Sequence, residues 1–352
     1  MSISLPIEKS KDIKHIGLDI GRHKKSRLSV PDPRVPLLEG TELAGYRIGK
    51  VLGAGSFSVV YDGTELETGR HVAVKEYFPK RFAERRSNGL ISPITGQKRK
   101  SFREGFRLFY SEAKALEKIE HPNVLHMHRL FRANRTAYLV SANEGGRDLK
   151  WFLLSLKKPL DQDLVYKVFL PILSALNCLH NTQTLHLDIK PANILLQPSG
   201  KSLLLDFGAA RAMHTESRTG KSQIVTHGFA PPEQYGKNQV LGAWTDIYAL
   251  AATMYFSIVG KMPGKSKGSS TSSSIDIIKY GRAYSSATIE TINQALSYAA
   301  SARFDSIDGF AESFLRGSEW FSLQDFEIRE LGFDRYASAE ACVKENGALV
   351  AA

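Results

Sequence analysis

The stretches HLDIKPANILL (residues 186–196) and LLLDFGAAR (residues 203–211) decide the fold of this chain. Four side chains in them suit phosphoryl transfer: a carboxylate that accepts a hydroxyl proton, an ammonium that neutralises a moving phosphoryl group, and an amide and a second carboxylate that offer the hard oxygen ligands preferred by Mg²⁺. In that order, they are Asp188, Lys190, Asn193 and Asp206. Each residue alone is commonly structural. Their joint occurrence with the Asp-Phe-Gly triplet predicts a catalytic site.

Composition and cysteine usage narrow the class of protein. The 352 residues suffice for one large domain or two modest ones, and the balance of apolar and charged residues is that of a folded globular chain. Cys178 and Cys342 form no CxxC pair, which predicts neither a disulfide framework nor a thiolate zinc site. The longest apolar run, 247–259, is too short to cross a bilayer, and residues 1–22 lack the apolar core of a signal peptide. We expect a cytoplasmic protein.

A strand-rich part is followed by a helix-rich part along the chain. YRIGKVLGAG and SVVYDGTEL read as strands joined by a glycine turn, HVAVKEYF as a third strand, and NVLHMHRLFR and TAYLVSA as two more. An amphipathic helix is predicted in SFREGFRLFYSEAKALEKIE. We predict a flexible basic arm over residues 1–40, a main domain over 41–316 divided near residue 142, and an acidic tail with one helix over 317–352.

Two further motifs precede the catalytic stretches. The glycine turn lets backbone amides approach phosphate oxygens without an intervening Cβ, although an isolated match of this kind is more often a plain hairpin. Lys75 in VAVK lies on the next strand among apolar residues and needs a carboxylate partner, for which Glu112 on the amphipathic helix is placed. The turn comprises Leu52, Gly53, Ala54, Gly55, Ser56, Phe57, Ser58 and Val60.

These motifs, in this order and at these intervals, resemble a bacterial Ser/Thr protein kinase of the eukaryotic-like type over residues 46–316. The stretches KEYFP, APPEQY and WTDIYAL resemble bacterial members in particular. The resemblance implies an α+β, bilobal fold: a small antiparallel β-rich N-lobe with one regulatory helix, and a larger, mainly helical C-lobe. It implies transfer of the ATP γ-phosphate to protein hydroxyls with Mg²⁺, or alternatively Mn²⁺, as the metal.

The resemblance also implies roles for particular residues. Apolar residues would sandwich the adenine, backbone atoms after Ser141 would bind its edge, Lys75 would hold the α- and β-phosphates, and two oxygen ligands would hold the metal. Asp246 would brace the catalytic loop, Glu233 would pair with Arg303, and Thr226 would face Asp188. The adenine residues are Val60, Ala73 and Leu195, the hinge residues are Ala142 and Asn143, and the metal ligands are Asn193 and Asp206.

One departure concerns regulation. Leu187 stands where many kinases have the Arg that grips a phosphate on the activation segment. We therefore expect activity that does not require this phosphate latch, while the segment still offers autophosphorylation sites. These are Thr215, Ser217, Thr219, Ser222 and Thr226.

The net charge of +11 is concentrated between Lys80 and Arg107. One hypothesis is that this segment docks an acidic partner, such as an acidic substrate or a nucleic acid, whereas a solvated cationic loop is the more common interpretation of such a charge run. For the chain itself, two other functions stay open. One is a small-molecule phosphotransferase, which does not normally carry the APPEQY stretch. The other is a pseudokinase scaffold, which usually lacks one of the residues that correspond to Lys75, Asp188 and Asp206.

Overall fold

The computed structural model describes residues 35–117, 119–207, 209–212, 226–236, 239–263 and 274–316. The predicted arm before residue 35, the predicted tail after residue 316 and the centre of the activation segment therefore lie outside the described residues. The strands are β1 (Glu42–Leu43), β2 (Tyr46–Ala54), β3 (Ser58–Glu65), β4 (His71–Tyr77), β5 (Ala83–Arg85), β6 (Ile91–Pro93), β7 (Met127–Ala133), β8 (Thr136–Ala142), β9 (Arg147–Asp148), β10 (Thr184–Leu185), β11 (Ile194–Leu196), β12 (Ser202–Leu204) and β13 (Arg211–Ala212).

The N-lobe is a six-stranded antiparallel sheet in the order β1-β2-β3-β4-β8-β7. Its strands alternate between two faces, so Val72 and Val74 of β4 are buried while Ala73 and Lys75 turn to the other side. Between β7 and β8, Asn134 and Arg135 both have positive φ, as a two-residue hairpin turn requires. The predicted strands of this region are confirmed.

The helices are α1 (Arg99–Leu116), α2 (Leu149–Leu156), α3 (Gln162–Asn181), α4 (Ala243–Val259), α5 (Ile277–Tyr280), α6 (Ser286–Ala295) and α7 (Ile307–Leu315). In the N-lobe, α1 packs its Phe109, Ala113 and Leu116 face into the core, as the periodicity predicts. Tyr77 at the end of β4 lies among Phe102, Phe106 and Phe109, which fixes α1 against the sheet.

The C-lobe is built around α3 and α4, which are buried along most of their lengths. Asp161 caps the start of α3 by accepting a hydrogen bond from the amide of Leu164, and Gly260 ends α4 in a left-handed conformation. The apolar run 247–259 is thus the interior of a core helix. Among the described residues, no helix combines the length and the apolar character that a membrane span requires.

An inserted hairpin, β5–β6, lies between β4 and α1 and was not predicted from the sequence. Its Arg85 forms two hydrogen bonds of 2.8 and 2.6 Å with the carboxylate of Glu76 in β4. The hydroxyls of Tyr61 and Tyr138 donate to the same carboxylate, at 2.8 and 2.5 Å. Glu76 is completely buried, so this network satisfies a carboxylate inside the lobe.

Two short antiparallel pairs set the catalytic segments side by side. The pair β11–β12 places Ile194 opposite Leu204. Ile194 directly follows Asn193, and Leu204 lies two residues before Asp206. The pair β10–β13 joins the start of the catalytic loop to the beginning of the activation segment, with Leu185 opposite Arg211. These pairings bring two motifs that are distant in sequence to one place between the lobes.

Candidate active site

Lys75 and Asp206 meet across the cleft between the lobes. The Lys75 Nζ donates to Asp206 Oδ1 at 2.6 Å. This ammonium lowers the pKa of Asp206 to about 2, although desolvation acts in the opposite direction. Asp206 is therefore a carboxylate throughout the neutral range. Because its pKa is lowered on folding, its contribution to stability is present above about pH 4 and is lost as the pH falls toward 2.

The carboxylate of Asp188 lies at the centre of a compact hydrogen-bond network. Lys190 Nζ donates to its Oδ2 at 2.6 Å, and the Thr226 hydroxyl donates to its Oδ1 at 2.7 Å. The same ammonium donates to the Thr226 oxygen at 3.0 Å. The predicted position of Thr226 opposite Asp188 is thus confirmed. The network also demonstrates that a hydroxyl group can donate directly to this carboxylate.

Asp246 of α4 holds the backbone of the catalytic loop from below, as predicted. Its two carboxylate oxygens each accept a 2.8 Å hydrogen bond, one from the amide of His186 and one from the amide of Leu187. His180 Nε2 lies 2.8 Å from one of these oxygens. Burial alone would raise the pKa of Asp246, but these hydrogen bonds and nearby histidines keep that pKa below its ordinary value. The buried carboxylate therefore stays ionised and fully bonded.

The side chain of Asn193 is oriented by Asp188. Its Nδ2 donates to the Asp188 carbonyl at 2.8 Å and to Asp188 Oδ2 at 3.0 Å. The Leu205 amide donates to the carbonyl of Asn193 at 2.8 Å, so the residue before Asp206 lies next to Asn193. Within the described residues, no three His, Cys, Asp or Glu side chains form a metal cage. A cation here would be held by Asp206 and the amide oxygen of Asn193, a donor set that fits Mg²⁺ completed by phosphate oxygens.

The glycine turn between β2 and β3 leaves room for a ligand. A Cβ on Gly53 would meet no atom within 4 Å, and one on Gly55 would make only ordinary contacts. Neither glycine has a positive φ. The protein's own packing and backbone therefore do not require glycine at either position, and binding of a phosphate group by this turn stays a prediction.

Four predicted residues share the sheet face that turns toward the cleft. Val60 is paired with Lys75, and Ala73 is paired with Ser141, so their side chains lie on one side of the sheet. Leu195 of β11 belongs to the C-lobe and is half-buried. The spacing of Lys75 and Ala73 by two residues places the ammonium and the small side chain next to each other on this face.

The segment after Ser141 crosses close to β11. The Ala142 amide already donates to the carbonyl of His126 at 3.2 Å, so it has a partner within the protein. The Asn143 side chain donates to the carboxylate of Asp62 at 2.9 Å, which ties this segment to β3. Gly146 has a φ of 95°, and a Cβ at this position would collide with the Leu196 carbonyl oxygen. The two lobes are joined closely at this point.

The predicted pair of Glu233 and Arg303 is confirmed. Two hydrogen bonds of 2.6 and 3.1 Å join the guanidinium to the carboxylate, and both residues are buried. Arg303 also donates to the carbonyls of Ser297 and Tyr298. This bidentate pair fixes the end of the activation segment to the base of the C-lobe.

Some predictions lie outside what is described, and some residues were missed. The backbone of Glu112 belongs to α1, but its side chain is outside the described part of the chain, so its pairing with Lys75 stays a prediction. His186 was missed as a positioning group: its Nδ1 accepts from the Asp188 amide at 3.3 Å. Gln234 was also missed, and its Nε2 donates to the carbonyl of Leu187 at 2.9 Å. The position of His186 two residues before Asp188 was a usable signal, whereas the sequence around Gln234 offered none.

The basic residues between Lys80 and Arg107 fall into two groups, one buried and one exposed. Arg85 is part of the buried network with Glu76 and is unsuitable for docking, which corrects the interpretation of the segment as one surface. The remaining positive charge is concentrated at the start of α1, where the first turn contains no acidic residue. The exposed side chains there are Lys98, Arg99, Lys100, Arg103 and Arg107, hereafter the basic surface.

Comparison with known proteins agrees with this geometry. The family model described as protein kinase domain matches residues 46–316. Serine/threonine-protein kinase F of Synechocystis sp. is 33% identical over 246 residues, which are 65% of this chain and 46% of that protein. CBL-interacting serine/threonine-protein kinase 16 of Arabidopsis thaliana is 28% identical over 227 residues, which are 62% of this chain and 45% of that protein. The chain thus spans less than half the length of these two curated relatives.

A solved structure described as the apo form of PpkA-294 has a TM-score of 0.71 and 31% sequence identity, and the match covers 79% of this chain and 99% of that one. The antiparallel N-lobe with α1 and the helical C-lobe are the bilobal protein-kinase fold. The chain belongs to the protein kinase family, and its relatives include bacterial Ser/Thr kinases of the eukaryotic-like type.

Proposed function

We propose that this chain is an active Ser/Thr protein kinase that transfers the γ-phosphate of ATP to hydroxyl groups of proteins. The observation that carries the proposal is the Asp188 carboxylate, which accepts a hydrogen bond from a Thr hydroxyl while Lys190 contacts both partners. A substrate hydroxyl in the place of the Thr226 hydroxyl would donate to the same oxygen. The domain we assign to this activity is residues 41–316, with the N-lobe over 41–142, in a cytoplasmic protein.

In the proposed mechanism, Asp188 orients the acceptor hydroxyl and accepts its proton as the new P–O bond forms and the bond to the leaving phosphate oxygen breaks. Lys190 neutralises negative charge next to that carboxylate, and Lys75 binds the α- and β-phosphates. Mg²⁺, or Mn²⁺, when bound by Asn193 and Asp206, would neutralise the phosphate oxygens. The amides of residues 53–58 would approach the phosphates from the N-lobe side.

The adenine ring would lie between Val60 and Ala73 of the N-lobe and Leu195 of the C-lobe, with Leu52 at its edge. Ser141 and the segment of Ala142 and Asn143 would border the ring from the back of the cleft. The carbonyls of this segment are the better candidates for binding the ring edge, because the Ala142 amide is already paired. Glu112 would support Lys75 from α1.

The test is phosphate transfer from radiolabelled ATP to the chain itself and to a general protein substrate. Asp188→Ala should reduce incorporation by about 100- to 10,000-fold, the usual contribution of a general base. Asp305→Ala is the matched control, because Asp305 is an exposed carboxylate on the C-lobe away from the network. Transfer that is equal in the wild type and in Asp188→Ala would contradict the assignment. No transfer by the wild type would favour a pseudokinase, and transfer only to small molecules would favour a small-molecule phosphotransferase.

We also propose that the basic surface docks an acidic segment of a protein substrate. Lys98 Nζ lies 5.5 Å from the ring centre of Phe82, and that ring is 6.4 Å from the ring of Phe57 in the glycine turn. The surface therefore begins beside the entrance to the cleft. The positive end of the α1 dipole adds to its charge. A nucleic acid is the weaker alternative for the same surface.

A further inference from the structure

The peptide backbone just before the catalytic Asp188 is strained and yet held from several sides. Leu187 has a φ of 64°, in the left-handed region that is unfavourable for a residue with a Cβ. Such a conformation persists only where its surroundings enforce it. The contacts of Leu187 therefore decide how the Asp188 carboxylate points.

Both polar backbone groups of Leu187 are bonded to buried side chains. Its amide donates to Asp246 at 2.8 Å, and its carbonyl accepts from Gln234 Nε2 at 2.9 Å. Gln234 lies directly after Glu233, whose ion pair with Arg303 anchors that region. The neutral amide of Gln234 thus joins the far end of the activation segment to the catalytic loop, in addition to the hydrogen bonds of Thr226 with Asp188 and Lys190.

The side chain of Leu187 supplies a third contact, which is apolar. It belongs to a small cluster separate from the main core, formed by Leu185, Leu187 and Leu241 with Ala209 packed against them. Ala209 lies three residues after Asp206, at the near end of the activation segment. The pairing of β10 with β13 holds the same end by backbone hydrogen bonds. Both ends of the segment therefore contact the loop that contains Asp188.

We infer that Gln234 and the apolar cluster of Leu185, Leu187, Ala209 and Leu241 form a neutral latch that positions Asp188 without a phosphate on the activation segment. This inference rests on the proposed kinase function and identifies how Asp188 is held in position for that function. An Arg at position 187 would need an anion to compensate its charge, whereas Leu187 needs only the apolar contacts that this chain provides. The members of the latch are positioning residues, because they act through the backbone of the catalytic loop.

The test uses the full chain, dephosphorylated by a phosphatase and verified by intact mass. Gln234→Met keeps the side-chain length but removes the donor to the Leu187 carbonyl, and Leu187→Ala removes the apolar contact. Each should lower kcat about tenfold, equivalent to about 1.4 kcal/mol, while the KM for ATP changes less than about twofold. Leu187→Met conserves volume and should recover most of kcat.

Leu296→Ala is the control for general loss of stability, because Leu296 is buried in the C-lobe core outside the latch. It should lower the melting temperature and leave kcat near that of the wild type. An unchanged kcat in Gln234→Met, or a kcat loss in Leu296→Ala as large as that in Leu187→Ala, would overturn the inference. So would a dephosphorylated wild type that regains activity only on rephosphorylation, although the kinase function would then stand. Absence of transfer in every phosphorylation state would contradict the kinase function itself.

Discussion

Ser141 is a small, buried residue at the end of β8, on the same sheet face as Lys75 and Ala73. A larger side chain at this position would project toward the back of the adenine site from the strand next to Lys75. The hydroxymethyl group occupies little of that space. At the scale of a single residue, Ser141 should therefore determine which nucleotides enter the cleft.

We predict that the wild-type chain accepts ATP analogues with a benzyl group on the adenine amine. Ser141→Phe should reduce kcat/KM for the benzyl analogue by about 100-fold, because the added ring fills the space behind the adenine. The same variant should retain most of its kcat/KM for ATP. Steady-state kinetics with both nucleotides measures the effect. Rejection of the analogue by the wild type would mean that the space behind Ser141 is filled or that the hinge lies elsewhere.

At the scale of an element, the β5–β6 hairpin depends on one buried ion pair. Arg85 donates to Glu76 and also to the carbonyls of Val35 and Gly89, and its guanidinium lies 5.1 Å from the ring centre of Phe78. Burial opposes the charge of Arg85, but the neighbouring Glu76 carboxylate raises the pKa of the guanidinium above its ordinary value. Arg85 therefore stays charged in its buried position, and its hydrogen bonds satisfy the Glu76 carboxylate.

Arg85→Ala should lower the free energy of unfolding by about 3–5 kcal/mol, because it leaves the Glu76 carboxylate buried without its cation. The same variant should raise the KM for ATP, since Glu76 follows Lys75 directly on β4. Arg86→Ala is the matched control: its pair with Glu84 is exposed and worth at most about 1 kcal/mol. Urea unfolding and ATP titration measure both effects. Equal stability losses in the two variants would show that the network contributes no more than a surface pair.

The limits of sequence-based prediction are clearest in this hairpin. The main N-lobe strands and the catalytic loop were predictable, because their alternation and motif spacing are local properties of the chain. The partner of Arg85 was not predictable, because nothing in the local sequence distinguishes the buried Arg85 from the exposed Arg86. Helix α1 was predicted to extend to residue 120 but ends at Leu116, before the HPN turn. The bond between Gln234 and Leu187 joins residues 47 positions apart, a separation at which pattern carries no information.

At the scale of the whole molecule, charge is used in two ways, and the N-lobe shows both: Arg85 and Glu76 form a buried pair, whereas the basic surface is exposed. In the C-lobe, charged side chains such as Glu233, Arg303 and Asp246 are buried and paired. The basic surface of the N-lobe is instead exposed, and within the described residues its five cations form no ion pair. Because exposed charge is screened by salt, this surface should influence association with a substrate more than the stability of the fold.

Substitution of Lys98, Arg99 and Lys100 by Gln should therefore weaken a substrate with an acidic segment selectively. If each lost pair is worth about 0.5 kcal/mol, the KM for this substrate should rise about tenfold in low salt, with kcat and the KM for ATP nearly unchanged. The difference from the wild type should diminish as ionic strength rises, because salt screens the same attraction.

The matched control replaces Lys157, Lys158 and Lys167 by Gln. These lysines are exposed on the C-lobe, and their replacement removes the same net charge. Equal effects of the two triple variants would indicate attraction to the overall charge of +11 rather than docking. No effect of either would leave the basic surface as a solvated face, and loss of affinity for an oligonucleotide alone would favour the nucleic acid.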